Sequence, residues 1–291
     1  MKYLFKGSAV ALVTPFDNDG SIDFVSLEKL INLQLLAKTD AIVVLGTTGE
    51  PATLSMDERL SIIRFAKEKI KNKAKLIVGT GANSTKTAIT LSLQAQNEGI
   101  DGLLVVTPYY NKCTQNGLVK HFEEISKAVN LPIIAYNVPG RTGVNILPQT
   151  AERLSKIPNI VGIKEASGNI SQMVDLCAVL ENKMAVYSGD DSLNYVFMSL
   201  GAMGVISVTA NAYPKEIKSL VQHCFSKDFV SALNLHNKLL NINKDLFVEV
   251  NPTPIKYVCS KQNLCKNILR LPLLPLEKIH ENLLDDDMKN L

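Results

Sequence analysis

Short, continuously apolar runs recur along the chain at intervals of very roughly 20–35 residues, a spacing that leaves room for one helix between strands. They lie near residues 9–13, 41–45, 75–78, 102–106, 132–136, 161–164, 185–187 and 204–208. Each is apolar throughout instead of alternating, as a parallel strand covered on both faces must be. Amphipathic stretches fill the gaps. Ser55-Met56-Asp57-Glu58 is a capping-box pattern ahead of Leu60, Ile62, Ile63 and Ile70. Asn83-Ser84 opens a helical stretch that closes at Gly99, and Asp191-Ser192 opens one that stops at Gly201. Pro148 and Pro214 stand where helices commonly begin.

Eight strand–helix units in succession predict a (β/α)8 TIM barrel, an α/β fold. A doubly wound open sheet is the structural alternative. It would usually carry a Gly-x-Gly-x-x-Gly turn after its first strand, where this chain has Thr14-Pro15-Phe16. Past about residue 227 the pattern is helical only. Stretches 230–247, 254–262 and 276–289 predict three helices beside the barrel. The chain therefore divides into a barrel domain carrying the active site, 1–227, and an added C-terminal helical domain, 228–291. Asp285-Asp286-Asp287 is expected to be a solvated acidic tail and nothing more.

Composition narrows the function classes. A length of 291 residues and 46% hydrophobic content suit one barrel of about 250 residues plus an appendage. A net charge of +3 with 20% charged residues supplies no basic patch for nucleic acid. Charges or prolines interrupt every long apolar run, so no membrane span is expected. Lys2 and Lys6 precede the first apolar run, but no small-residue cleavage site follows, so that run is read as a strand and not a signal peptide. Five cysteines without a C-x-x-C pair argue against a disulfide framework and for a reducing cytoplasm. Four scattered histidines lack metal-ligand spacing, so no metal and no cofactor is expected.

Active sites of such barrels lie at the carboxyl ends of the strands, and those ends carry a polar set. Strand two ends in Gly46-Thr47-Thr48-Gly49-Glu50, either a carboxylate cradle or a plain turn with threonine caps. Strand four ends in Thr107-Pro108-Tyr109-Tyr110-Asn111, whose tyrosines suit catalysis, packing or an interface. Strand five ends in Tyr136-Asn137-Val138-Pro139-Gly140-Arg141-Thr142-Gly143, offering a phenol for proton transfer and a guanidinium for a carboxylate. Strand six delivers Lys164 in Gly162-Ile163-Lys164-Glu165. Burial would lower the pKa of that lysine and make it a nucleophile, whereas a snorkelling ammonium is the bland alternative. Strand seven ends in Ser188-Gly189-Asp190-Asp191, whose aspartates bind substrate or cap the next helix. A lysine, tyrosines, threonine hydroxyls and an arginine at one barrel face suit carbon–carbon bond chemistry through an imine.

On these motifs the sequence resembles the dihydrodipicolinate synthase family, within the superfamily that also holds N-acetylneuraminate lyase. The resemblance spans essentially the whole chain. The Gly46–Glu50 and Gly162–Glu165 stretches mark the superfamily, and the choice of substrate rests on Thr47-Thr48, Tyr110 and above all Arg141. It implies a Schiff base between Lys164 and pyruvate, with Thr47 and Thr48 holding the pyruvate carboxylate. It implies Tyr136 as central acid/base, linked through Thr48 to a Tyr110 that reaches into a neighbouring subunit's site. Arg141 would orient the carboxylate of L-aspartate 4-semialdehyde, and Gly189 and the carbonyl of Ile206 would line the pocket near the lysine. The implied product is 4-hydroxy-tetrahydrodipicolinate, the entry to diaminopimelate and lysine, made by a cytoplasmic homo-oligomer, a tetramer built from dimers.

Two other readings compete. Another pyruvate-dependent aldolase, of the 2-keto-3-deoxygluconate or N-acetylneuraminate type, would share Lys164 and Tyr136 but not Arg141. A catalytically idle barrel would have no need of Lys164, Tyr136, Thr48 and Tyr110 together. Lysine-inhibited members of the family bind lysine with residues matching Pro51, Ala52, Met56, Arg59, Asn83, Thr87 and Tyr109. Here Thr87 replaces the usual glutamate and Arg59 would repel a cation, so feedback by lysine is expected to be weak or absent.

Overall fold

The computed structural model describes residues 3–291. Strands β1 (Gly7–Ala11), β2 (Ala41–Val44), β3 (Lys75–Gly79) and β4 (Gly102–Val106) are followed by β5 (Ile133–Asn137), β6 (Ile160–Glu165), β7 (Ala185–Ser188) and β8 (Gly204–Ser207). They pair in parallel and in sequence order, and β8 returns to β1 with Gly204 opposite Gly7, so the sheet closes as the sequence predicts. Helices α1 (Phe24–Leu36), α2 (Met56–Ile70), α3 (Thr85–Asn97) and α4 (Gln115–Ala128) cover the first half of the barrel. The one-turn α5 (Pro139–Thr142), then α6 (Pro148–Ser155), α7 (Ile170–Val179), α8 (Asn194–Ser199) and α9 (Pro214–Phe225) cover the second. Both expected proline starts and the capping box are present, with Ser55 and Glu58 exchanging side-chain and backbone hydrogen bonds.

All eight apolar runs form strands because each is buried on both faces: the outer side chains meet the helices and the inner ones fill the barrel. The boundaries shift for local reasons. The first run leaves the sheet early, since Asn211 Oδ1 takes the Val13 amide at 3.0 Å. The second stops at Val44 because Leu45 is left-handed, φ 57°. The barrel floor is plugged by Phe5, stacked on Tyr187 with ring centroids 4.4 Å apart. The Tyr187 hydroxyl donates to the Phe5 carbonyl at 2.7 Å, and Gly162 makes room, since a Cβ there would lie 2.8 Å from the Tyr187 ring.

The three C-terminal helices are α10 (Phe229–Asp245), α11 (Thr253–Lys261) and α12 (Lys278–Lys289). Helix α10 packs on α9, and α12 packs on α10 and α11. The acidic run is not a solvated tail. Asp285 to Asp287 lie inside α12, where Asp285 accepts from the Tyr257 hydroxyl at 2.8 Å. Asp287 is buried, and burial together with neighbouring Asp245 raises its pKa to about 6.

Candidate active site

Lys164 owes its direction to an irregularity in β6. Ile133 pairs with Ile160 but Ile134 with Gly162, so Val161 is an extra residue that resets the in–out alternation. Gly162 and Lys164 then face the barrel interior while Ile163 packs outward. The lysine is only 4% exposed, and Nζ lies 4.5 Å from the centre of the Tyr136 ring, its register partner on β5. Burial lowers its pKa from 10.5 to about 8; Asp191 opposes that shift and Arg141 assists it. Gly189 leaves the amine its space, because a Cβ there would meet Lys164 Cε at 2.8 Å.

Two cavities meet above this pair. The first, about 390 Å3, is lined by Lys164, Tyr136, Thr48, Gly189, Asp190 and Arg141 among others. The second, about 420 Å3, is lined by Thr47, Arg59, Tyr109, Pro252 and Leu273. Tyr136, Val138, Arg141 and Asn251 line both. Burial raises the pKa of the Tyr136 hydroxyl, and Arg141 and the Thr47 side chain oppose that shift. Of the two threonines, Thr47 is the one whose side chain acts on the Tyr136 phenol, where the link was expected through Thr48. Thr48 Oγ1 instead accepts from Asn251 Nδ2 at 2.9 Å.

The loop ends are held by residues outside the expected set. Glu50, left-handed at φ 51°, forms an ion pair of 2.5 Å with Lys256 of α11, both side chains fully enclosed. Lys256 Nζ also donates to the Ile268 carbonyl at 2.8 Å. Arg270 grips the same region, donating to Glu58, to the Thr53 carbonyl and to the Gly20 carbonyl. Glu165 faces away from the cavity and accepts from Ser167 N, Asn137 Nδ2 and Gln172 Nε2, tying the ends of β5 and β6 together. Asp190 caps the following turn, and Asp191 Oδ2 accepts from the amides of Val208 and Thr209 at 2.7 and 2.9 Å. The capping alternative therefore holds for Asp190, while Asp191 joins β7 to β8.

Lys164, Tyr136, Thr47, Thr48, Arg141 and Gly189 are brought together. Two expected residues line neither cavity. The Ile206 side chain shares the inner apolar cluster with Tyr136, and Val208 stands on the cavity wall beyond it. Tyr110 lines neither cavity; its backbone is left-handed at φ 74° and its side chain is 88% exposed. Asn251 was not anticipated, because it lies in a connection between helices with no motif around it. Among the described residues, Glu249, Glu277 and His280 could together hold a metal, but none lines either cavity, and His280 Nδ1 is engaged by Glu249 at 2.6 Å.

A model of the dihydrodipicolinate synthetase family matches residues 4–291. The chain is 46% identical to a 4-hydroxy-tetrahydrodipicolinate synthase of Alkaliphilus oremlandii, with 98% of each chain covered. It is 48% identical to the protein of that name from Caldicellulosiruptor bescii, covering 97% of this chain and 95% of the other. Among solved structures, the chloride-inhibited dihydrodipicolinate synthase of Acinetobacter baumannii complexed with pyruvate is similar at a TM-score of 0.96 and 46% identity, covering 98% of each chain.

Proposed function

The chain belongs to the dihydrodipicolinate synthetase family, and from that membership and the site above we infer that it condenses pyruvate with L-aspartate 4-semialdehyde to give 4-hydroxy-tetrahydrodipicolinate. It is a Schiff-base lyase of the first committed step of diaminopimelate and lysine biosynthesis. The observation that carries the chemistry is a buried strand-end lysine with a pKa of about 8, poised over a tyrosine ring.

The neutral Lys164 amine adds to the pyruvate ketone, and water leaves to form the imine. Thr48 holds the pyruvate carboxylate; its hydroxyl oxygen accepts from Asn251, which leaves its proton for the substrate. Tyr136, kept protonated by burial, gives and takes protons through Thr47. Loss of a methyl proton gives the enamine, whose carbon attacks the aldehyde while Arg141 orients the second substrate's carboxylate. The substrate amine then bonds the imine carbon. The carbon–Nζ bond breaks, and Lys164 leaves as a neutral amine with the proton released by the incoming nitrogen.

The relay continues from Thr47 to Tyr110 of a neighbouring copy, in a homotetramer assembled as a dimer of dimers. The exposure and left-handed backbone of Tyr110 support this reading. Of the described residues, those up to 227 form the barrel, and 228–291 form a helical domain that closes over the strand-two loop. Five free cysteines favour a cytoplasmic setting.

Borohydride reduction in the presence of pyruvate, followed by peptide mapping, tests the chemistry. An adduct on Lys164 is expected, with turnover of L-aspartate 4-semialdehyde and not of sugar acids. No adduct, or one on another lysine, overturns the mechanism, and efficient cleavage of sugar acids would favour the aldolase reading.

A further inference from the structure

We propose that Asn251 recognises the amino group of the second substrate, so that Arg141 and Asn251 together read an α-amino acid head group. The proposal rests on the reaction inferred above and adds a specificity residue to it. Three observations carry it. Arg141 Nη2 donates to the Asn251 carbonyl at 3.1 Å, which sets a guanidinium beside this residue. Asn251 Nδ2 is committed to Thr48 Oγ1 at 2.9 Å. Its Oδ1 is buried without a hydrogen-bond partner, in a side chain only 4% exposed that lines both cavities.

A buried amide oxygen without a partner costs free energy unless a ligand or water donates to it. L-aspartate 4-semialdehyde carries a carboxylate and an ammonium on one carbon. A guanidinium next to an amide oxygen offers one complementary group to each. The aldehyde, fixed at the enamine on Lys164, supplies a third point of contact, and three points define a chiral centre. The neutral amide also suits the chemistry that follows. It accepts from the amine without pairing as strongly as a carboxylate would, so the nitrogen can still lose its proton before it displaces Lys164. Asp190 is the competing acceptor on the wall of the lysine cavity: its Oδ1 takes both the amide of Ser192 at 3.0 Å and its hydroxyl at 2.6 Å, and its Oδ2 is the group that the Asp190→Asn arm of the test addresses.

The test compares L-aspartate 4-semialdehyde with succinate semialdehyde, which keeps the aldehyde and carboxylate and lacks the amine. For the full-length protein, the KM of the first is divided by the inhibition constant of the second. In Asn251→Ala that ratio is expected to rise about 10- to 100-fold, the range for one hydrogen bond to a charged group. Asn251→Asp, which keeps the acceptor and adds a charge, is expected to bring the ratio back to the native value or below it. If Asn251 only braces Thr48 and Arg141, both constants rise together and the ratio stays put, which overturns the proposal. A selective rise in Asp190→Asn and not in Asn251→Ala overturns it too. Should the alanine variant fail to fold, the unmodified protein still decides: equal affinity for the two aldehydes refutes a dedicated contact to the amine. Borohydride trapping of pyruvate on Lys164 is run beside each assay. Its failure in the unmodified protein discards the reaction, whereas an intact adduct with an unchanged ratio discards only the role of Asn251.

Discussion

Lys164 attacks a ketone only as a neutral amine, so its titration sets the alkaline demand of the enzyme. Burial is the main cause of its fall from 10.5 to about 8. Below that value the amine is protonated, and kcat/KM for pyruvate is expected to drop about tenfold per pH unit, levelling off above it. A pH profile measured from 6 to 9 (about two units below to one above) that stays flat would contradict this. The response to an effector also turns on single side chains. Arg59 is partly buried on the second cavity's wall, with Nη2 donating to the Pro51 carbonyl at 2.7 Å, and Thr87 offers no carboxylate at the start of α3. Weak or absent inhibition by L-lysine is expected; half-inhibition below about 1 mM would refute it, since binding so tight needs a partner for the ammonium. Lys164, Tyr136 and Arg141 were legible in sequence because each ends or follows a buried strand. Asn251 was not, because it meets Thr48 across 203 positions, and only the fold makes that contact.

The loop after β2 shows how elements share the work of holding a site. Its Thr47 and Thr48 face the two cavities, while Glu50 turns away into the C-terminal helices and pairs with Lys256. Removing one member of such an enclosed pair leaves a charge without compensation. Glu50→Ala is expected to destabilise the protein by about 3–5 kcal/mol, and the double change Glu50→Leu with Lys256→Met to recover most of that loss. Chemical denaturation of the three variants checks it; an equal loss in the double variant would show that packing, not charge, holds the loop. The strands were legible because parallel strands enclosed on both faces need uninterrupted apolar runs. Their limits were not, since Leu45 and Asn211 act through backbone angle and a distant hydrogen bond. Nor did sequence reveal that Asp285 to Asp287 would be folded into α12, because adjacent charges look alike in a helix and in a tail.

At the scale of the molecule, one chain holds every proposed group in its own cavities except Tyr110, which lines neither and is 88% exposed. If that hydroxyl serves a neighbouring site, two crippled variants can repair each other. Tyr110→Phe and Lys164→Ala, each nearly inactive alone, are expected on subunit exchange to regain up to about a quarter of native activity, because half the tight dimers are mixed and each mixed dimer has one intact site. No recovery after verified exchange would confine the relay to one chain. The closed barrel has a consequence at its other end. Phe5 and Tyr187 seal the floor, and Tyr187 stands opposite Lys164 in the β6–β7 register. Water rising through an open floor would raise the polarisability around the amine and return it toward the 10.5 of a free lysine. That aromatic pair acts in this sense as electrical insulation, with Phe5 part of the dry floor beneath the nucleophile.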